Sequence, residues 1–244
     1  MAVSHDESIR HQMFATWCAP IFSVATAVGW LGIAHFIFPA AASLTAQETA
    51  EFYAQHQDGI ILGCSIFSIA TCFLAVWTAE LGILMSQVEG RAPLMAISQV
   101  IGGVGVALLV FISCCLWIGC AYRLGDTDPR IVVALNDASW FGFLLGWCFL
   151  SLQMIPVAVV ALADRRPKPL FPRWLAWSSL VGAVALATAG GPAFTKTGPF
   201  AYHGMLGFYV PMAIWGLWLN GHAWYMRQEL LRQRQGSDAL ELAA

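Results

Sequence analysis

Six stretches of this chain stay apolar for long enough to cross a lipid bilayer, and nothing else in the sequence constrains the fold as strongly. They run Trp17–Ala40, Gly59–Ser86, Pro93–Ala121, Ser139–Ala163, Trp174–Gly190 and Phe200–Tyr225. An α-helix rises about 1.5 Å per residue, so roughly 20 apolar residues span the hydrocarbon core. Lipid offers no partner to N–H and C=O groups, so a crossing segment must satisfy its backbone internally, as a helix does. The sequence therefore predicts an all-α, polytopic bundle of six transmembrane helices. Hydrophobic residues make up 59% of the chain and charged residues 11%, far below the roughly 25% charge of soluble domains. An ordinary water-soluble fold is excluded.

Orientation follows from the basic residues, which collect on the cytoplasmic side of membrane proteins. With both termini inside, the inner segments hold Arg10, Arg91, Arg165, Arg166, Lys168, Arg173, Arg227, Arg232 and Arg234, and the outer ones only Arg123, Arg130 and Lys196. The loop Ala41–Asp58 has neither Lys nor Arg. The expected order is a cytoplasmic segment at 1–16, a membrane domain at 17–226 and a cytoplasmic tail at 227–244. The opening MAVSHDESIRHQ has no basic n-region or small-residue cleavage site, so the first block is read as a retained span. A net charge of −2 and the lack of a Lys/Arg run give no sign of nucleic-acid binding.

The loops carry local signals. In SLTAQETAEFYAQHQD, Ser43 or Thr45 is placed to cap a helix, with Glu48 as the capping-box partner of Thr45. This reads as a short interfacial helix in the first outer loop, with Phe52 and Tyr53 against the membrane surface. Glu89-Gly90-Arg91 is a short inner turn that makes its flanking spans antiparallel neighbours. Asp128-Pro129 signals a turn, and Asn136 or Asp137 is placed to cap the fourth span. The inner loop Asp164–Trp174 is basic and rich in proline, and Gly190–Phe200 forms a tight outer turn.

Three segments, NDASWF (Asn136–Phe141), PLFPRW (Pro169–Trp174) and TKTGPF (Thr195–Phe200), resemble a pattern that recurs in uncharacterised six-span bacterial inner-membrane proteins. The resemblance implies a bacterial plasma membrane and a six-helix fold, and transfers no activity.

Polar residues inside apolar spans are costly and mark functional sites by default. Glu80 is the acidic residue set well inside a span. Gln99, Gln153 and Asn220 approach the same leaflet, so the four are expected either to line a polar cavity or to bond helix to helix. Trp30, Trp77, Trp117, Trp147, Trp215 and Trp218 also lie within spans, where indoles build flat apolar walls suited to a sterol, terpenoid, quinone or lipid chain, or fill helix contacts. Trp17, Trp174, Trp177, Trp224 and Trp140 fit the aromatic belts. The pairs Gly59/Gly63 and Gly142/Gly146 and the Gly102-Gly103-Gly105 cluster predict close helix packing.

Two further constellations are chemically plausible. His35 and His203 sit near the outer ends of their spans with His56 in the outer loop, types and depths compatible with haem or a transition metal, although the spacing matches no metal motif. His222 stands alone at the inner end of the last span. At the outer surface, Arg123, Asn136, Asp137, Trp140, Thr195, Lys196 and Thr197 form a second group; there Arg123 would pair with Asp137, and Lys196 would clamp an anionic head group or substrate carboxylate. The seven cysteines form no CxxC pair and read as small packing residues.

These features favour a protein that binds or transports a small hydrophobic molecule, with Trp77, Trp147 and Trp215 as walls and Glu80, Gln99, Gln153 and Asn220 orienting its polar end. The alternatives are a structural or accessory subunit of a homo-oligomer or membrane complex, and an intramembrane redox protein using His35 and His203. Membrane lipids are the expected surroundings in each case. A channel fits less well, since no span carries a sustained polar stripe.

Overall fold

A computed structural model describes residues 5–241 of the chain, and among them every regular element is helical. The first helix, α1 (His5–Ala25), widens into a π-helical segment over Thr26–Ile33. There the Thr26 hydroxyl donates back to the Phe22 carbonyl at 2.8 Å, the kind of local competition that bends helices. Glycines at 29 and 32 leave the widened turns uncrowded, and His35, with φ of 60°, ends the helix. A short α2 (Ala46–Gln55) follows, with the expected capping box: the Glu48 N–H donates to the Thr45 hydroxyl, and the Glu48 carboxylate accepts from the Thr45 N–H. The Thr45 N–H, with the Thr45 hydroxyl, donates to the Glu48 carboxylate and holds it below the usual glutamate range.

Two long antiparallel helices come next, α3 (Gln57–Glu89) and α4 (Leu94–Tyr122). Gly90, with φ of 79°, turns the chain between them. The Glu89 carboxylate accepts from the N–H groups of Met95 at 3.0 Å and Ala96 at 2.7 Å, covering donors that the first turn of α4 leaves without intrahelical partners. The fourth apolar block starts earlier than the sequence suggested. It opens at α5 (Pro129–Leu144), with Asp128 accepting from the Arg130 N–H and Pro129 in the first turn. Asp-Pro is thus a helix start, since proline suits the first helical position, and Asn136, expected as a cap, points into the bundle instead. After a break at Leu145-Gly146 the block continues as α6 (Trp147–Ala163).

The fifth block is α7 (Arg173–Ala185), which tightens into a 3-10 segment over Leu186–Ala193. A second π-helical turn, Met205–Tyr209, leads into α8 (Val210–Glu241). Pro211 lacks the N–H that would bond the Gly207 carbonyl, which favours the wider turn.

Five of these units are long and apolar enough to cross a membrane: Glu7–Ile33, Gln57–Glu89, Leu94–Tyr122, Pro129–Ala163 and Arg173–Ala193. The chain is built as a multi-pass membrane protein. The sixth expected block, carried by α8, falls outside that set; Tyr209, Asn220 and His222 dilute it, and its helix runs on into a polar tail. Small residues bring the helices close, as their spacing predicted. Gly63 lies directly on the Gly29 carbonyl and Ala34, and Gly102 sits against the backbone of Phe149 and Gln153, binding α3 to the π segment and α4 to α6.

Ten of the eleven tryptophans divide into exposed and buried sets, and Trp147 is half-buried. Trp17, Trp174, Trp177 and Trp224 are exposed, whereas Trp30, Trp77, Trp117, Trp215 and Trp218 are buried. Trp140, assigned to a membrane belt, is fully buried as well, because α5 begins seven residues before Asn136 and turns this position inward.

Candidate functional site

The apolar core is aromatic at the end of the bundle where α2 sits. Trp30 stacks on Phe67 with centroids 5.0 Å apart, Trp117 meets Trp140 edge to face at 5.1 Å, and Phe36, Phe143 and Phe208 close the cluster. Such pairs add specific geometry to a large burial of apolar area. The cluster borders a buried polar chain. The Tyr53 hydroxyl donates to Asn136 Oδ1 at 2.8 Å, and Asn136 Nδ2 donates to the Tyr202 hydroxyl at 3.0 Å. Tyr53 therefore reaches inward from α2 rather than lying on the membrane surface, and Asn136 ties α2, α5 and the loop before α8 together. Asn136 Nδ2 also donates a longer bond to Asp137 Oδ1 at 3.4 Å.

Beside this chain lies a cavity of about 180 Å³, lined by Ala42, Asp137, Phe141, Thr195, Lys196 and Tyr202 among others. Four of the residues singled out at the outer surface thus converge: Asp137, Thr195 and Lys196 in its wall, and Trp140 stacked flat on Tyr202, centroids 5.1 Å apart and planes 2° from parallel. Thr195 and Thr197 close their own turn through the Thr195 hydroxyl. Arg123 does not join. It forms no ion pair with Asp137 and lies against the ring of its neighbour Tyr122.

Deeper in the bundle, Gln99 and Gln153 meet on one residue of α3. Gln99 Nε2 donates to the Thr78 carbonyl at 3.0 Å and Gln153 Nε2 to the Thr78 hydroxyl at 3.1 Å. Glu80, two residues on, is buried, forms no ion pair, and its Oε1 has no partner among the described residues. Trp77 packs edge to face on Trp218 at 5.7 Å. Asn220 belongs elsewhere: its Nδ2 donates to Ser23 on α1 and to the Gly216 carbonyl, both at 2.8 Å. These amides act mainly between and along helices.

A wide apolar opening lies between α1 and α8. It encloses about 500 Å³, lined by Phe22, Ser23, Thr26, Leu31, Phe208, Trp215 and Gly216 with neighbouring apolar residues, and both π-helical segments form its walls. At one end the Tyr209 hydroxyl donates to the Ile37 carbonyl at 2.7 Å; at the other stands the Asn220–Ser23 bond. From 209 to 220 helical rise places these closures about 16 Å apart. Trp215 also lines a tighter recess with Trp147, Phe143 and Leu186. Its indole N–H is buried and has no partner among the described residues.

The histidines separate. His35 lies beside His56, rings 4.4 Å apart, while His203 Nδ1 accepts from the Ala42 N–H at 3.1 Å. Among the described residues no group of three or more His, Cys, Asp or Glu is placed to hold a metal ion. His222 is not alone, contrary to expectation. It is fully buried, Nδ1 on the Trp218 carbonyl at 2.8 Å and Nε2 at 3.4 Å from the Ser179 hydroxyl; the Trp218 indole donates to that hydroxyl at 2.8 Å.

Sequence reasoning also missed a cluster in the 164–172 loop. Asp164 accepts from the Arg166 guanidinium and from the N–H groups of Arg166 and Leu170, while Arg166 reaches on to Glu229 at 3.5 Å. Burial pushes the Asp164 carboxyl up, but these donors outweigh it and hold it below the usual aspartate range.

Residues 24–223 match the family described as a domain of unknown function (DUF4386), and the chain belongs to that family. No curated protein and no solved structure matches it.

Proposed function

Taking membership of DUF4386 as the premise, we propose that this protein binds or carries a small hydrophobic molecule of sterol, terpenoid, quinone or lipid type in the groove between α1 and α8. In this reading it crosses a bacterial inner membrane six times, α8 supplying the last span, with both termini in the cytoplasm and α2 lying at the outer interface. One observation carries the proposal: a largely apolar cavity of about 500 Å³, within the 300–1,000 Å³ typical of small-molecule sites. Two π-helical segments face each other across it, and such distortions recur at functional sites. Trp215 contributes an aromatic wall to this groove. Of the residues expected to line a cavity, Trp215 lines this one, and Asn220 closes its end through Ser23. Glu80, Gln99 and Gln153 are not among its lining residues.

The experiment is lipid-directed mass spectrometry on protein extracted in mild detergent, comparing the wild type with Gly216→Phe. Gly216 lines the groove and a Cβ there meets nothing within 4 Å, so a bulky side chain at this position is directed at the groove rather than at a packed helix contact. The wild type is expected to retain a hydrophobic compound that the variant loses. Equal retention by both would refute the site.

A second reading, an accessory subunit of a homo-oligomer or membrane complex, draws on the cleft of about 460 Å³ between α7 and α8, where Gly182, Ala185 and Gly221 leave room beside exposed Trp174 for a neighbouring helix. Extraction as a monomer with no associated chain would count against it.

A further inference from the structure

Beyond the hydrophobic groove, we infer that the cavity formed by Asp137, Lys196 and Tyr202 is a binding site for a small zwitterion, a molecule carrying an ammonium and an acidic group a few ångströms apart. The inference is independent of the groove, since different residues build the two sites.

Three separate pieces of chain build this cavity. Ala42 comes from the loop after the first span, Asp137 and Phe141 stand one turn apart on α5, and Pro192–Lys196 with Tyr202 come from the segment before α8. Opposite charges face the same space: Asp137 and Lys196 lie within electrostatic reach of each other, yet they form no ion pair. Asp137 Oδ1 takes a long bond from Asn136 Nδ2 at 3.4 Å, which leaves the carboxylate charge for a cationic group and the Lys196 ammonium for an acidic oxygen. Charge-assisted bonds of this kind are the strong ones.

The third element is a donor whose direction the polar chain fixes. Tyr53 donates to Asn136 Oδ1, so the amide presents Nδ2 to Tyr202 and the Tyr202 oxygen accepts. The Tyr202 O–H is left to donate elsewhere. Tyr202 is 4% exposed and lines the cavity, held flat on Trp140. An O–H and an ammonium thus suit the acidic end of a ligand, and Asp137 suits its amine. At about 180 Å³, the space fits a compact solute or the head group of a lipid, not a whole lipid. Phosphoethanolamine and free amino acids share this chemistry.

The test titrates purified full-length protein with four probes: glycerophosphoethanolamine, L-serine, glycerol phosphate and ethanolamine. Binding is followed by calorimetry and by tryptophan emission, to which Trp140 beneath Tyr202 contributes. One or both zwitterions are expected to bind at least about tenfold more tightly than either singly charged probe, in line with the worth of one charge-assisted bond. Preference for glycerophosphoethanolamine assigns a lipid head group, and preference for L-serine a free solute. Lys196→Met and Asp137→Asn should each weaken binding by about tenfold or more. Lys196 is exposed, so its variant tests the site without endangering the fold. Absence of zwitterion binding, equal binding of the singly charged probes, or an unchanged affinity in Lys196→Met would overturn the inference. Loss of the groove ligand in Gly216→Phe bears on neither outcome.

Discussion

Replacing Asn136 by leucine should expose how much the outer end of the bundle depends on one amide. Asn136 is 1% exposed and makes two short bonds, accepting from Tyr53 at 2.8 Å and donating to Tyr202 at 3.0 Å. A hydrogen bond contributes about 1 kcal/mol net, and a buried group left unpaired costs roughly 1–3 kcal/mol. Leucine removes both bonds and leaves two tyrosine hydroxyls facing an apolar side chain. Measured bonds between membrane helices average about 0.6 kcal/mol, which pulls the sum towards the lower end, so about 2–3 kcal/mol is expected. The assay is reversible unfolding in mixed SDS micelles followed by tryptophan emission. The same arithmetic makes a sharper claim for Tyr53→Phe/Asn136→Leu/Tyr202→Phe. With all partners apolar, no orphaned hydroxyl remains, and stability should return to within about 1 kcal/mol of the wild type. A loss below about 0.5 kcal/mol in Asn136→Leu, or a triple variant less stable than the single one, would refute the reasoning.

Glu89→Ala should lower stability by about 1–2 kcal/mol, because its carboxylate covers two N–H groups at the start of α4; SDS titration measures it. Gly63→Val should cost about 2 kcal/mol or more, since an added Cβ meets Ala34 at 2.7 Å and presses on the Gly29 carbonyl; loss of the monodisperse peak in size-exclusion chromatography is the readout. Asp164 has a folded-state carboxyl held below its ordinary value, so its contribution is present above about pH 4 and lost as pH falls through the folded value. Protease cleavage of the 164–172 loop should therefore rise on acidification in the wild type and depend less on pH in Asp164→Asn.

Periodicity and composition are local properties, and what depended on them was legible. The apolar blocks became helices, Thr45 and Glu48 formed their capping box, and the glycine pairs marked real close approaches. The start of α5 carries a local signal too, since Asp128-Pro129 is a cap followed by a first-turn proline, although the same dipeptide also reads as a turn. The sites were harder for a physical reason. Tyr53, Asn136 and Tyr202 are 83 and 66 residues apart along the chain, and Ser179 and His222 are 43 apart. No spacing rule links such partners; helix packing alone brings them together. Glu80, Gln99 and Gln153 were recognised as polar groups in lipid, but sequence depth could not distinguish a shared cavity from bonds to Thr78.

Two glycines decide between those alternatives more directly than the polar residues do. At Gly103 an added Cβ would press on both the Gln153 amide and Thr78, with the Thr78 hydroxyl 2.5 Å away. At Gly216 the same atom meets nothing within 4 Å. The Thr78 node is therefore filled by its own side chains, and a ligand could enter only by breaking the bonds that join α3 to α4 and α6. The groove asks for no such exchange. Gly103→Leu should destabilise the protein by about 2 kcal/mol or more through overpacking, whereas Gly216→Leu should leave it unchanged or up to about 1 kcal/mol more stable, because glycine is a poor helix former. Paired SDS titrations measure both, alongside the bound compound. If Gly103→Leu were tolerated and displaced that compound while Gly216→Leu left it in place, the ligand would belong at Thr78 and Glu80, and the groove would be a lipid-filled crease.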